Sequence, residues 1–240
     1  MLVSPRNPLN IGAAARAMAN FGFSRLSVVA PYSAHWREAR SAIGAPELLQ
    51  TARETSTLAE AVAECTLVIG TGTLTARRPE QQVAALPSLA PLVQAELLRN
   101  GRVALVFGPE KHGLTREDLS RCHALVAIPT DARQPSMNLG QAVAVCLYEL
   151  ATRTFPLQES ATELRVPAVQ SNAPAAALDR LGDVIEQTMT AAGYSPPEMM
   201  AANRHDLRLL LRRLTLNSAD ARRALGVFRR ILWRLENQRL

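Results

Sequence analysis

Lysine is nearly missing from this chain. Of 27 basic residues only Lys111 is a lysine; the others are arginine. Arginine together with abundant alanine matches a GC-rich coding sequence, so the excess charge carries physical information and the choice of arginine does not. Cysteine is scarce as well. Cys65, Cys122 and Cys146 are odd in number and widely spaced, which fits neither a disulfide framework nor a zinc-ligand pattern. They read as buried structural thiols in a reducing compartment. No run of about 18 apolar residues occurs, so no transmembrane helix is expected. Met1-Leu2-Val3 is too short for the apolar part of a signal peptide, and Arg6 and Asn7 interrupt it. A cytoplasmic protein with no membrane or metal partner is expected. A P-loop lysine motif, a Gly-x-Ser-x-Gly elbow and a full GxGxxG fingerprint are also lacking; Gly70-Thr71-Gly72-Thr73 offers only a lone GxG.

What is present suits a globular nucleic-acid partner. The 240 residues are 48% hydrophobic, enough for one sizeable core and a smaller second unit. The net charge is +6 and the pI is about 10.0, which favours a polyanion. The charge is concentrated: ten arginines against three acids lie between Arg204 and Leu240.

Up to about residue 155, apolar runs alternate with helical patterns. Leu26–Val29, Leu67–Ile69, Val103–Phe107 and Leu125–Ile128 read as buried strands. Helices are expected from Asn10 to Phe21 with Asn10 as cap, around Ala61-Val62, over Leu89–Leu98, after Thr115, and over Asn138–Ala151. Thr115 followed by Asp118 is close to a capping box. Such alternation predicts a parallel α/β sheet. The first strand, Met1 to Ser4, is short for a buried strand of about five residues, so either it is abbreviated or the true start lies upstream. Residues 156–178, with Pro156, Pro167 and Pro174 among polar residues, read as a linker. Residues 179–240 read as a basic helical unit. Its stripes are Leu181/Val184/Ile185/Thr188, Leu207/Leu210/Leu211/Leu214 and Leu225/Phe228/Leu232/Leu235.

Three stretches stand out. Asn10-Ile11-Gly12-Ala13-Ala14-Ala15-Arg16 places one arginine on a helix of small residues. It is either a packed helix with a solvated arginine or a surface shaped for close approach. Phe107-Gly108-Pro109-Glu110-Lys111-His112-Gly113-Leu114 follows an apolar strand, where open α/β sheets bind ligands. A plain turn with solvated charges fits it equally, and His112 reads as a surface histidine. Ile128-Pro129 precedes Ser136-Met137-Asn138-Leu139-Gly140; Ser136 and Asn138 suit helix caps or a backbone loop around a ligand.

Taken together, in this order and spacing, the three stretches resemble the signature motifs of the TrmH-related methyltransferases of the SPOUT superfamily, over roughly residues 1–155. Ile185-Glu186-Gln187-Thr188 and Leu210-Leu211-Arg212-Arg213-Leu214 resemble the helical extension of the TrmJ branch. The resemblance implies a parallel sheet ending in a deep trefoil knot (a rare exception to unknotted chains), a small helical C-terminal extension, and a homodimer whose active sites are completed by the partner subunit. It implies S-adenosylmethionine bound by Thr71, Gly72, Thr73, Gly108, Ile128, Ser136, Met137 and Leu139. Arg16, Asn10, Ser136, Asn138 and Glu110 match catalytic positions, and the TrmJ branch methylates the ribose 2′-hydroxyl of nucleotide 32 in tRNA. The chain departs from the pattern at Thr130–Pro135, where many relatives carry a methionine–glycine segment, and at Met137, where leucine is frequent.

Methyl transfer from a sulfonium needs alignment of the hydroxyl and removal of one proton. A guanidinium holds its proton at neutral pH, so Arg16 is expected to hold a phosphate and stabilise a developing alkoxide. Arg204, Arg208, Arg212 and Arg213 are expected to track RNA phosphates; a solvated helical face or a dimer-stabilising tail is the alternative. Two other functions share these features: a ribosomal RNA 2′-O-methyltransferase, and an RNA-binding factor that kept the fold without catalysis.

Overall fold

A computed structural model of the chain describes residues 1–72, 81–154 and 172–237. Seven parallel strands form its frame: β1 (Leu2–Val3), β2 (Ser27–Val29), β3 (Arg53–Thr55), β4 (Leu67–Thr71), β5 (Val83–Ala85), β6 (Val103–Val106) and β7 (Ala124–Ala127). The first three pair in the order β1-β2-β3 and the others as β5-β7-β4-β6, every pairing parallel. The two sets meet where β1 runs parallel beside the end of β6, with Leu2 opposite Phe107. Val3 N donates to Phe107 O at 2.8 Å and Phe107 N to Met1 O at 2.9 Å, while the Met1 amino group donates to Leu105 O at 2.8 Å. The expected α/β architecture with a parallel sheet is therefore present. Two residues suffice for the first strand because bonds from both neighbours satisfy its backbone.

Helices cover both faces, and strand side chains alternate between them. Val28 and Ile69 pack with α1 (Pro8–Asn20), α2 (Pro46–Gln50), α4 (Leu89–Leu98) and α6 (Leu139–Thr154). Val29 and Val68 pack on the other face with α3 (Leu58–Val62) and α5 (Arg116–Ser120). The three cysteines are buried in these layers; burial pushes the Cys122 and Cys146 thiols up to about 12, where they are inert.

Helix α1 starts earlier than its sequence pattern suggests. Asn7, not Asn10, is the cap: its side chain accepts from Leu9 N, and Pro8 takes the first helical position, where a missing N–H costs nothing and the fixed φ suits a helix. Asn10 stands inside the first turn. Small residues on α1 let α6 lie close; a Cβ on Gly140 would stand 2.7 Å from the Ala13 Cβ. Thr115 and Asp118 form the expected capping box on α5.

The C-terminal helices are α7 (Ala175–Ala191), α8 (Met200–Arg213) and α9 (Ser218–Asn237). Helix α7 begins within the stretch read as linker, since Pro174 at its cap is followed by three alanines; Pro156 and Pro167 lie outside the described residues. On α8 the stripe is shifted. Leu209 and Leu211 are buried, whereas Leu210 and Leu214 are 43% and 50% exposed. The reason is Arg212, only 1% exposed, which points inward and donates to Asp179 Oδ1 at 2.7 Å and to Arg121 O at 3.4 Å. Among the described residues, no helix is long and apolar enough to cross a membrane.

Candidate functional site

The carboxyl ends of β4, β6 and β7 open into one cavity of about 640 Å³. Apolar side chains of Val83, Phe107, Leu114, Ile128, Leu139 and Ala142 make most of its wall, and Glu110, Lys111, His112, Thr130 and Ser136 also line it. Of the residues expected to bind a cofactor, Thr71, Gly72, Gly108, Ile128, Ser136, Met137 and Leu139 all line this space; Thr73 lies outside the described residues. The Thr71 hydroxyl is committed to Val106 O at 3.0 Å, so it ties β4 to β6 and leaves only its backbone edge for a ligand. Gly108 cannot be replaced without movement, because a Cβ there would stand 2.2 Å from Leu114 N and 2.4 Å from the Gly113 carbonyl carbon. Gly113 completes the turn at φ +64, a left-handed conformation that glycine adopts without strain.

Beside the cavity, the N-terminal motif meets two others, 100 and 128 residues further along the chain, in a directional chain of hydrogen bonds. Glu110 accepts from Arg6 N at 3.0 Å on Oε2, and from Asn7 N at 3.1 Å and Asn10 Nδ2 at 2.9 Å on Oε1. Asn10 Oδ1 accepts from Asn138 Nδ2 at 2.9 Å. Asn138 Oδ1 accepts from Gly140 N at 2.9 Å at the start of α6. The ends fix every orientation between them, since a carboxylate only accepts and a backbone N–H only donates. Burial raises the Glu110 pKa, but the bonds from Asn10 and from the Arg6 and Asn7 N–H groups outweigh it, so the carboxyl stays below its ordinary range.

Arg16 is not part of this chain. It sits on the exposed side of α1, and among the described residues no ion pair holds it. Ser136 stands exposed on the cavity loop. That loop closes on itself: Thr130 Oγ1 donates to Pro135 O at 3.2 Å, and Asp131 takes the Arg133 guanidinium in a two-point bond.

Three of the four α8 arginines are tied to other helices, although Arg204 stays exposed. Arg204 forks onto the Glu186 carboxylate at 2.7–3.0 Å. Arg208 donates to Glu117 Oε1 at 2.6 Å and Ser120 Oγ at 2.9 Å. Arg212 is buried against Asp179 and cannot meet a phosphate, which corrects that expectation. Together these side chains join α8 to α5 and α7. Arg213 remains exposed, as do Arg222, Arg223, Arg229, Arg230 and Arg234 on α9.

Sequence reasoning missed Val83, Leu119 and Ala142 in the cavity wall, which carry no motif. It also missed the Arg6 and Asn7 N–H groups that hold Glu110. The Asn7-Pro8 pair was the available signal for that turn.

The model of the SpoU rRNA Methylase family matches residues 1–148. Over 238 residues the chain is 37% identical to the tRNA (cytidine/uridine/adenosine-2'-O-)-methyltransferase TrmJ of Pseudomonas aeruginosa (strain UCBPP-PA14), covering 97% of this chain and 91% of that protein. It is 33% identical over 243 residues to the tRNA (cytidine/uridine-2'-O-)-methyltransferase TrmJ of Klebsiella pneumoniae subsp. pneumoniae, covering 99% and 96%. Its fold superposes on the crystal structure of TrmJ from Z. mobilis ZM4 with a TM-score of 0.82 at 30% identity, covering 96% of each chain.

Proposed function

The chain belongs to the SpoU methylase family, and from that premise we propose that it transfers a methyl group from S-adenosylmethionine to a ribose 2′-hydroxyl of tRNA, at nucleotide 32 of the anticodon loop. The observation that carries this reading is the meeting of the apolar cavity with the Glu110–Asn10–Asn138 chain. The volume falls in the range of about 300–1,000 Å³ typical of small-ligand sites. Its apolar wall suits a nucleobase, and the Gly108 and Gly72 backbones allow close approach. Thr71, Gly72, Gly108, Ile128, Ser136, Met137 and Leu139 would hold S-adenosylmethionine. When bound, the cofactor supplies a methyl group already activated on a sulfonium.

The chain's own residues then have to place an acceptor and move one proton. Asn10 and Asn138 are locked in single orientations beside the cavity and align the acceptor ribose. Ser136, exposed at the same edge, passes the hydroxyl proton to water. Arg16 lies six positions beyond Asn10 on α1 and faces outward, which suits use across a homodimer, where it would hold a phosphate and stabilise the developing alkoxide. The exposed Leu9, Val145 and Tyr148 on α1 and α6 support a partner copy on this side. Strand β7 lies between β4 and β5, which both precede it, and α6 then returns to α1. This late insertion of β7, followed by the return of α6 to α1, is the strand order that the trefoil knot proposed for residues 1–155 requires. Residues 179–240 form the proposed basic helical extension, with Arg213 and the exposed α9 arginines for tRNA phosphates.

The test is methylation of unmodified tRNA against ribosomal RNA, and of tRNA carrying a 2′-deoxynucleotide at position 32. Transfer to tRNA that the single deoxy substitution abolishes is the expected result. Transfer to ribosomal RNA alone would move the substrate, and transfer to neither would overturn the reading.

A further inference from the structure

The strands β1 and β2 are each followed directly by a non-glycine residue in the left-handed region: Ser4 at φ 44 and Ala30 at φ 43. Such conformations are strained for a residue with a side chain and persist where surrounding structure over-determines them, often at functional sites. Here they turn two neighbouring chain segments toward each other. Tyr32 N donates to Pro5 O at 3.2 Å, and the Arg6 guanidinium lies over the Tyr32 ring, 5.3 Å from its centre. The loop carrying Tyr32 is anchored behind by Trp36, which is fully buried and donates to Glu54 Oε2 at 3.1 Å.

Tyr32 is nevertheless 78% exposed. An aromatic ring held by a strained, anchored loop, covered on one face by a guanidinium and open on the other, is costly to maintain for packing alone. Its position gives it a use. The Arg6 backbone N–H bonds the same Glu110 carboxylate that orients Asn10, so the ring is one residue's reach from the alignment chain.

We propose that Arg6 and Tyr32 form a stacking platform for an unstacked RNA base next to the nucleotide being methylated, an inference that rests on the methyltransferase reading above. Single-stranded loops are recognised by splaying bases onto aromatic rings and arginine planes. The open face of Tyr32 takes the base, and the Arg6 guanidinium stiffens the ring from behind and adds charge for the adjoining phosphate. The platform selects for a flexible loop rather than for a base identity, because every base has a π-face.

The experiment measures methyl transfer to tRNA with full-length Tyr32→Ala, Tyr32→Phe and Arg6→Ala, together with S-adenosylmethionine affinity and sedimentation mass. Tyr32→Ala should raise KM for tRNA about 5- to 30-fold, the lower part of the range for stacking one base. Tyr32→Phe should stay within about twofold, since the ring is kept. Arg6→Ala should raise KM and lower its salt dependence by about one phosphate contact. Cofactor affinity and mass should not change. The decisive arm uses tRNAs with an abasic site on either side of the target: on one of them the wild-type and Tyr32→Ala enzymes should become equal. If the difference persists on both, or if the loss follows a changed mass, the platform is wrong while the methyltransferase reading stands. If the wild-type enzyme transfers no methyl to RNA, the reading itself fails and the platform with it.

Discussion

Glu110→Gln probes the alignment chain with a change of one atom. The carboxylate accepts three bonds, two on Oε1 and one on Oε2. A glutamine can keep the pair from Asn7 and Asn10 only by turning its amide toward Arg6 N, donor against donor. The reverse orientation loses two bonds, and Asn10 cannot flip to help without losing Asn138. The best arrangement therefore gives up one bond and the charge behind the other two. Hydrogen bonds to charged groups contribute roughly 1.5–3 kcal/mol against about 0.5–1.5 for neutral ones, but Glu110 is solvent-accessible and water screens much of this. A net loss of about 1–2 kcal/mol at pH 7 is expected, or a fall in Tm of roughly 2–8 °C for a chain of this size. Methyl transfer should drop about tenfold as Asn10 loses its fixed orientation. The pH dependence gives the sign. The folded-state pKa of Glu110 is depressed, so its contribution is present above the unfolded value of about 4.3 and is lost as pH falls through the folded one. Urea denaturation of both proteins at pH 7 and pH 3.5 should show the stability gap closing in acid. A gap that is equal at both pH values, or nil at pH 7, would refute the reasoning.

Gly108→Ala should weaken S-adenosylmethionine binding more than tenfold by calorimetry, because its Cβ would press on the backbone at Leu114 N and shift the cavity loop, with about 1–3 kcal/mol of overpacking. Asp179→Ala leaves Arg212 charged in the interior and should cost about 3–5 kcal/mol in urea denaturation, whereas Asp179→Leu with Arg212→Met should recover most of that loss. His123 accepts from Val68 N at 3.0 Å, and desolvation with the Arg212 charge lowers its pKa to about 3. The unfolded chain then binds more protons than the native one between about pH 6.5 and 3. Stability should fall as pH drops through that window, and less steeply in His123→Gln.

How far the sequence could be read depends on what each signal encodes. The Thr115–Asp118 capping box and the Leu89–Leu98 helix were legible because they are local. The cavity residues were legible because three motifs mark them, although their meeting point depends on long-range topology. Asn10 was mistaken for a cap because Asn7-Pro8, the stronger helix start, lies outside the apolar period. Leu210 and Leu214 were misassigned because a buried Arg212 reads as a solvent-facing residue until Asp179 is seen beside it. Arginine spacing could not show that Arg204 and Arg208 meet Glu186 and Glu117, since those partners come from other helices. Val83 entered the wall through strand order alone.

The most direct test of the account is the chemical position of the methyl group. Unmodified tRNA is methylated with labelled S-adenosylmethionine and then digested with alkali, which cannot cleave next to a 2′-O-methyl ribose. The account predicts label in an alkali-resistant dinucleotide, reduced at sub-saturating cofactor by the Gly108→Ala change. Label released as mononucleotides would place the methyl on a base and contradict the ribose assignment, and no label in RNA would contradict the enzymatic reading altogether.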